Sequence, residues 1–165
     1  MKQPFENAID AHGPTVLRVC RAVLGATVDA DDAWSETFVA ALRAWPELPE
    51  HTNVEAWLVR VAHRKAIDVV RANRRHAVPT DELPATAPST EGVPHDGDPD
   101  LWSAVAALPE RQRLAVAYHY VGGLTHGDTA ELIGGTADAV RRAAADGIRA
   151  LRKTYASSAT QEGKR

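Results

Sequence analysis

The run Asp29-Ala30-Asp31-Asp32-Ala33-Trp34-Ser35-Glu36-Thr37-Phe38 reads as the opening of an amphipathic helix. Carboxylates at Asp29, Asp31 and Asp32 fall where unpaired backbone N–H groups and the positive helix end favour negative charge. Ala33, Trp34, Thr37, Phe38, Ala41, Leu42 and Trp45 then recur at a helical period of about 3.6, which gives the helix one apolar face. Pro46 and Pro49 stop it and open a loop. Upstream, Phe5, Ile9, His12, Val16, Val19, Cys20 and Val23 keep helical spacing, with a break expected near Gly13 and Pro14 as the first residue of a resumed helix. Downstream, Asn53 is placed to cap a third helix that buries Val54, Trp57, Leu58, Val61, Ala62, Val69 and Val70.

Beyond that helix the pattern lapses. Between Ala77 and Asp100, Pro79, Pro84, Pro88, Pro94 and Pro99 stand among acids, Ser and Thr with no apolar period, the composition of an extended linker. Helical spacing resumes from Leu101 to Leu108, restarts at Pro109 and runs to Tyr120, where Gly122 and Gly123 break it. Thr125 to Ile133 and Ala137 to Tyr155 are two further helical patterns. Gly134-Gly135-Thr136 between them has the length and glycine content of a helix-turn-helix turn. No alternating strand pattern competes. The expected fold is all-α, with a helical bundle over 1–76, a Pro-rich acidic linker over 77–100, a helix-turn-helix domain over 101–155 and a disordered tail over 156–165.

A chain of 165 residues that is 44% hydrophobic can build two small cores. Its net charge of −3 conceals an alternation. Met1 to Leu58 holds four basic and nine acidic residues; Val59 to His76 holds six basic residues against Asp68 alone. The next block has six acids and no Lys or Arg, and Leu101 to Arg165 has nine basic residues against six acids. The single cysteine, Cys20, rules out a disulfide framework within the chain and reads as core. No stretch approaches the roughly 18 apolar residues of a membrane span, so the chain is expected to be soluble and cytoplasmic, without insertion into a membrane. The seven histidines make no metal-ligand spacing with Cys or Glu. There is no phosphate-binding loop and no nucleophile motif. No catalytic residue, metal or cofactor is expected.

Residues 29–38, with Trp57-Leu58-Val59-Arg60-Val61-Ala62 and Ile67-Asp68-Val69-Val70-Arg71 after the loop, resemble the polymerase-binding and promoter-melting domain of the extracytoplasmic-function sigma factors. Leu108-Pro109-Glu110-Arg111-Gln112-Arg113, with Ala130, Gly134 and Val140, resembles the promoter-binding helix-turn-helix of the same family. The resemblance implies a transcription initiation factor with core RNA polymerase and promoter DNA as partners and an anti-sigma factor as a further candidate. Four positions depart from the pattern. Ser35 stands where glutamine is usual; Thr129 and Gly135 replace apolar residues, leaving the helix-turn-helix less to pack; Ala143 takes a position often held by arginine. Two other readings fit the same residues: a sigma-like regulator that does not direct polymerase, and a module that sequesters a sigma regulator without touching DNA.

Site residues follow from charge and from the resemblance. Arg60, Arg64, Arg71 and Arg75 share one face of the third helix, where they can follow a phosphate backbone, and Lys65 and Arg74 add to it, as do His63 and His76. In the resemblance this helix and the loop before it hold the melted minus-ten strand. Asn53, with Glu47, Glu50 and His51 of the loop, is placed to read an unstacked base, whereas Trp57 is expected in the core. The acidic helix docks on polymerase in the family, which makes Asp32, Glu36, Phe38 and Leu42 the polymerase candidates, with Phe38 and Leu42 equally explained as core. Thr136, Asp138, Arg141 and Arg142 lie on the first turns of the expected recognition helix and are the minus-thirty-five candidates.

Overall fold

In the computed structural model, which describes the backbone of residues 2–76 and 99–162 and side chains as far as 154, the elements are helical throughout. They are α1 (Phe5–Leu24), α2 (Val28–Ala44), α3 (Val54–Arg75), α4 (Pro99–Ala106), α5 (Glu110–Ala115), α6 (His126–Ile133) and α7 (Ala137–Glu162). The expected linker lies outside the described residues except for its last two positions, which open α4.

Local signals set most boundaries. Asn53 Oδ1 accepts from Ala56 N at 3.1 Å and caps α3; Thr125 and Thr136 do the same for α6 and α7 through Asp128 N and Ala139 N. Pro46 sits in a single 3₁₀ turn, Trp45–Glu47, that closes α2. The break expected at Gly13 does not occur: α1 runs through Pro14 without interruption. Its cost is offset by packing, because Trp34 Nε1 of α2 donates to Gly13 O at 2.9 Å and its ring lies close over the glycine. The tail also differs. Helix α7 continues to Glu162, so residues 156–162 are helical, in keeping with a stretch that meets no glycine or proline before Gly163.

The two helical halves pack against each other. Helices α1 and α3 are buried on two sides. Toward α2, Val16 and Cys20 of α1 and Leu58 and Ala62 of α3 pack with Ala30, Ala33, Phe38 and Ala41. On the other side Val19, Ala22 and Val23 of α1 and Val59 and Ala66 of α3 pack with Trp102, Val105, Ala117, Tyr118 and Leu124 from the second half. Burial of one valine or leucine side chain is worth roughly 1.5–3 kcal/mol, and this cluster buries Val19, Val23, Val59, Val105 and Leu124, so the shared core is a substantial contact. Val69 and Val70, expected in the core, are only half-buried, while Val59 and Ala66 are fully enclosed.

Past Ala115 the helix widens into a π turn over Val116–Val121, with Gly122 N donating to Ala117 O at 2.8 Å. Gly122 then passes close against α1 and α3: a Cβ built there would lie 3.1 Å from Val59 and 3.2 Å from Val19. Tyr118, on the widened turn, is the largest fully buried side chain among the described residues. A third, smaller core of Ala115, Ala130, Val140 and Ala144 joins α5, α6 and α7, with Ala143 packed against it. Among the described residues no helix is long and apolar enough to cross a membrane.

Candidate nucleic-acid interface

The cationic row on α3 is exposed at Arg64, Arg71, Arg74 and Arg75. Two members are engaged. Lys65 Nζ lies 3.8 Å from Glu36 Oε2 of α2, which joins a DNA candidate to a polymerase candidate. Arg60 reaches α6, 3.4 Å from Asp128 and 3.7 Å from Glu131. Next to it, His63 does not extend the basic face. Its Nδ1 is 2.7 Å from the Tyr118 hydroxyl, and burial, with Arg64, holds its pKa below the ordinary histidine value, a hydrogen bond to the Leu132 backbone carbonyl partly offsetting them. His63 is therefore a neutral contact between the halves.

A groove beside this row is lined by Ala40, Ala44, Trp57, Val61, Arg64, Lys65 and Asp68. Trp57 is half-buried on its wall, its ring 6.4 Å from that of Trp45. A second groove lies against the loop before α3, lined by Lys2, Gln3, Trp45, Leu48, Pro49, Glu50, Thr52 and Val54. Lys2 spans it, donating to Trp45 O at 2.6 Å with its ammonium 5.7 Å over the Trp45 ring. An aromatic wall, a cation and polar loop groups are what an unstacked base requires. The Asn53 side-chain oxygen serves as the helix cap, which leaves its amide NH₂ and the second lone pair of Oδ1 for a base.

On α2 the acidic face separates into two parts. Phe38 is 6% exposed and belongs to the core, in ring contact with Phe5 and Trp34. Leu42 is 55% and Val39 50% exposed, on a helix that also exposes Asp32 and Glu36. The expectation that Leu42 lies on the buried stripe is corrected here: the stripe narrows to Ala30, Ala33, Thr37, Phe38 and Ala41. Val39 carried no signal in a single sequence beyond being apolar off the main face.

In the helix-turn-helix, Thr136 caps α7 and Asp138 pairs with Arg141 at 2.5 Å, both exposed; Arg142 is exposed as well. Three of the departures, Thr129, Gly135 and Ala143, have a structural setting. Thr129 is fully buried with no partner for its hydroxyl, so it fills an apolar site with a polar group. Ala143 contributes to the small core. The side of the turn left empty by Gly135 is occupied by Arg111, whose Nη2 would lie 2.6 Å from a Cβ at that position. Among the described residues no group of three His, Cys, Asp or Glu side chains is placed to hold a metal ion. His119 and His126 stack face to face at 3.8 Å.

An all-helical chain with a cationic helix in one half and a helix-turn-helix in the other defines a two-part DNA-binding protein. Residues 8–76 match the family model for Sigma-70 region 2 and residues 100–151 the model for Sigma-70, region 4. The chain is 32% identical over 143 residues to the ECF RNA polymerase sigma factor ShbA of Streptomyces griseus, covering 78% of this chain and 75% of that one. It is 28% identical over 164 residues to SigE of Mycolicibacterium smegmatis, covering 95% of this chain and 63% of the relative, so it spans less than two thirds of that protein's length. SigD of Mycobacterium tuberculosis is 29% identical over 151 residues, covering 85% of this chain and 71% of that one. The fold is similar to the sigma factor RpoE solved in complex with the anti-sigma factor NepR from Bartonella quintana, with TM-score 0.68, 17% identity and coverage of 90% and 94%. It is similar also to CnrH in complex with the cytosolic domain of CnrY, with TM-score 0.58, 21% identity and coverage of 98% and 89%. The chain belongs to the extracytoplasmic-function sigma factors of RNA polymerase, a family that directs transcription initiation.

Proposed function

We propose that this chain binds core RNA polymerase through α2, holds the melted minus-ten strand on α3 and its preceding loop, and grips the minus-thirty-five duplex with α7. The polymerase supplies the chemistry, and the chain acts in the cytoplasm without catalysis of its own. Residues 1–76 carry the first two tasks and residues 101–155 the third, with residues 77–100 between them as tether. The observation that carries this reading is the α3 cationic row beside a groove walled by Trp57 and Arg64, in a chain whose α2 exposes Leu42 and Val39 among carboxylates.

The roles divide by chemistry. Arg64, Arg71, Arg74 and Arg75 meet phosphates, whose neutralisation releases counterions. Trp45 and the loop from Glu47 to Asn53 take an unstacked base. Asp32, Glu36, Val39 and Leu42 form a polymerase surface of acidic rim and apolar centre. Arg141 and Arg142 face base edges and phosphates, with Asp138 orienting Arg141. Arg60 serves the strand once α6 releases it, because Asp128 and Glu131 hold the place a phosphate would take. The solved complexes of RpoE and CnrH support an anti-sigma factor as a further partner.

Reconstitution with core polymerase on a promoter library tests the assignment. Specific start sites that depend on added chain support it. Polymerase association without start-site selection would leave a sequestering module, and DNA binding without polymerase association a stand-alone regulator; either result overturns the proposal.

A further inference from the structure

We propose that Arg111, on the first turn of α5, is a positioning residue that sets the angle at which the recognition helix α7 enters the DNA groove. This rests on the reading of α7 as the groove-reading helix and adds the element that aims it.

Helix α6 ends with unpaired carbonyls, as every helix does. Arg111 Nη2 donates to Gly134 O at 2.8 Å, and Nη1 lies 3.4 Å from Ile133 O. One guanidinium thus spans the last carbonyls of α6 from an element that is neither α6 nor α7. The turn it holds has little stiffness of its own. Gly134 and Gly135 both have φ of +88°, a region that glycine enters freely, so their backbone resists reorientation less than any other pair would. An apolar side chain at 135 would anchor such a turn by packing inward. Here the guanidinium fills that space, and a Cβ on Gly135 would stand 2.6 Å from Nη2. Arg111 and Gly135 are therefore a matched pair: the arginine replaces the missing anchor, and the glycine makes room for it. One residue later Thr136 caps α7, so a rotation of the turn passes directly to Arg141 and Arg142.

Base discrimination depends on side chains meeting base edges within a few tenths of an ångström, whereas phosphate attraction tolerates a tilt. Loss of the clamp should then blur sequence choice while leaving electrostatic affinity in place.

The test uses the full chain with core polymerase on promoters randomised at the minus-thirty-five element, read by transcript sequencing. For Arg111→Gln the preference for the best over the mean element should fall about tenfold, the order of one lost base contact. Preference at the minus-ten element and the salt dependence of promoter binding should be unchanged. Arg111→Lys, which can reach one carbonyl, should recover part of the preference. Gly135→Ala keeps the arginine charge but pushes it off the turn and should reproduce the Arg111→Gln defect; circular dichroism establishes that each variant is folded. Unchanged preference in folded Arg111→Gln overturns the proposal. So does a salt slope reduced by about one with preference intact, which would make Arg111 a phosphate contact. Absence of any minus-thirty-five preference in the unsubstituted chain would overturn the underlying reading of α7 instead.

Discussion

Arg60 of α3 and Asp128 of α6 are joined across the two halves of the chain at 3.4 Å, with Glu131 3.7 Å away on the same guanidinium. A residue suited to a DNA phosphate is thus occupied by carboxylates of the second half. The groups are partly exposed, and such pairs contribute about 0–1 kcal/mol, so they bias the residue without locking it. Asp128→Asn combined with Glu131→Gln should change stability by less than about 1 kcal/mol while strengthening binding to single-stranded DNA. The logarithmic salt slope should steepen by about 0.7, one further phosphate contact. Fluorescence anisotropy over a salt series measures both; an unchanged affinity and slope would remove Arg60 from the DNA surface.

His63 gives the contact between the halves a pH dependence. Its pKa in the folded chain lies below the ordinary 6.5 because burial, aided by Arg64, penalises the imidazolium. Between the two values the unfolded chain binds more protons, so the stabilisation is complete above pH 6.5 and is lost as pH falls toward the depressed value. Arg60, paired with Asp128 and Glu131, lies on the same interface, and Arg64 is the charge that acts on His63. Thermal melting should show a decline from pH 7.5 to 5.5 that is shallower in His63→Gln than in the unsubstituted chain. Parallel curves would assign the decline to other groups.

Much of this arrangement was legible in the sequence. The Asn53 cap, the proline stop after Trp45 and the glycine-rich turn before α7 are local devices, and local devices act wherever the chain goes. What could not be read is tertiary. Val59 and Ala66 face away from the apolar stripe of α3, and only the docking of Trp102 and Tyr118 explains why they are buried. Period counting assumes one buried face, so it credits Val69 and Val70 and overlooks a helix enclosed from two sides. For the same reason His63 reads as part of a basic face until Tyr118 is seen against it. Gly13-Pro14 reads as a helix break because propensity counts the lost hydrogen bond and cannot count Trp34.

Phe38 and Leu42 are indistinguishable by pattern and opposite in exposure, which separates stability from docking. Phe38→Ala should cost about 3–5 kcal/mol, as removal of a buried aromatic does. Leu42→Asp places a charge on a residue that is already 55% exposed, and surface changes of this kind shift stability by about 0.5 kcal/mol or less. Pull-down of core polymerase should nevertheless fall sharply for Leu42→Asp, with the melting temperature unchanged. Retained association would move the docking surface elsewhere on the chain.

Thr129 is the polar side chain that α6 turns into the helix-turn-helix, fully buried and with no hydrogen-bond partner for Oγ1. A buried group left unsatisfied costs about 1–3 kcal/mol, whereas an apolar side chain of the same shape avoids that cost. Thr129→Val keeps the branched outline and exchanges the hydroxyl for a methyl, so it should stabilise the protein by about 1 kcal/mol. For a chain of this size that corresponds to a rise in melting temperature of roughly 2–4 °C, measurable by circular dichroism or calorimetry. The gain should be confined to stability, since Thr129 is buried inside the domain and Arg141 and Arg142 are on its surface. A melting temperature that falls would mean that the hydroxyl is bonded in solution, and the site would then count as a satisfied polar one.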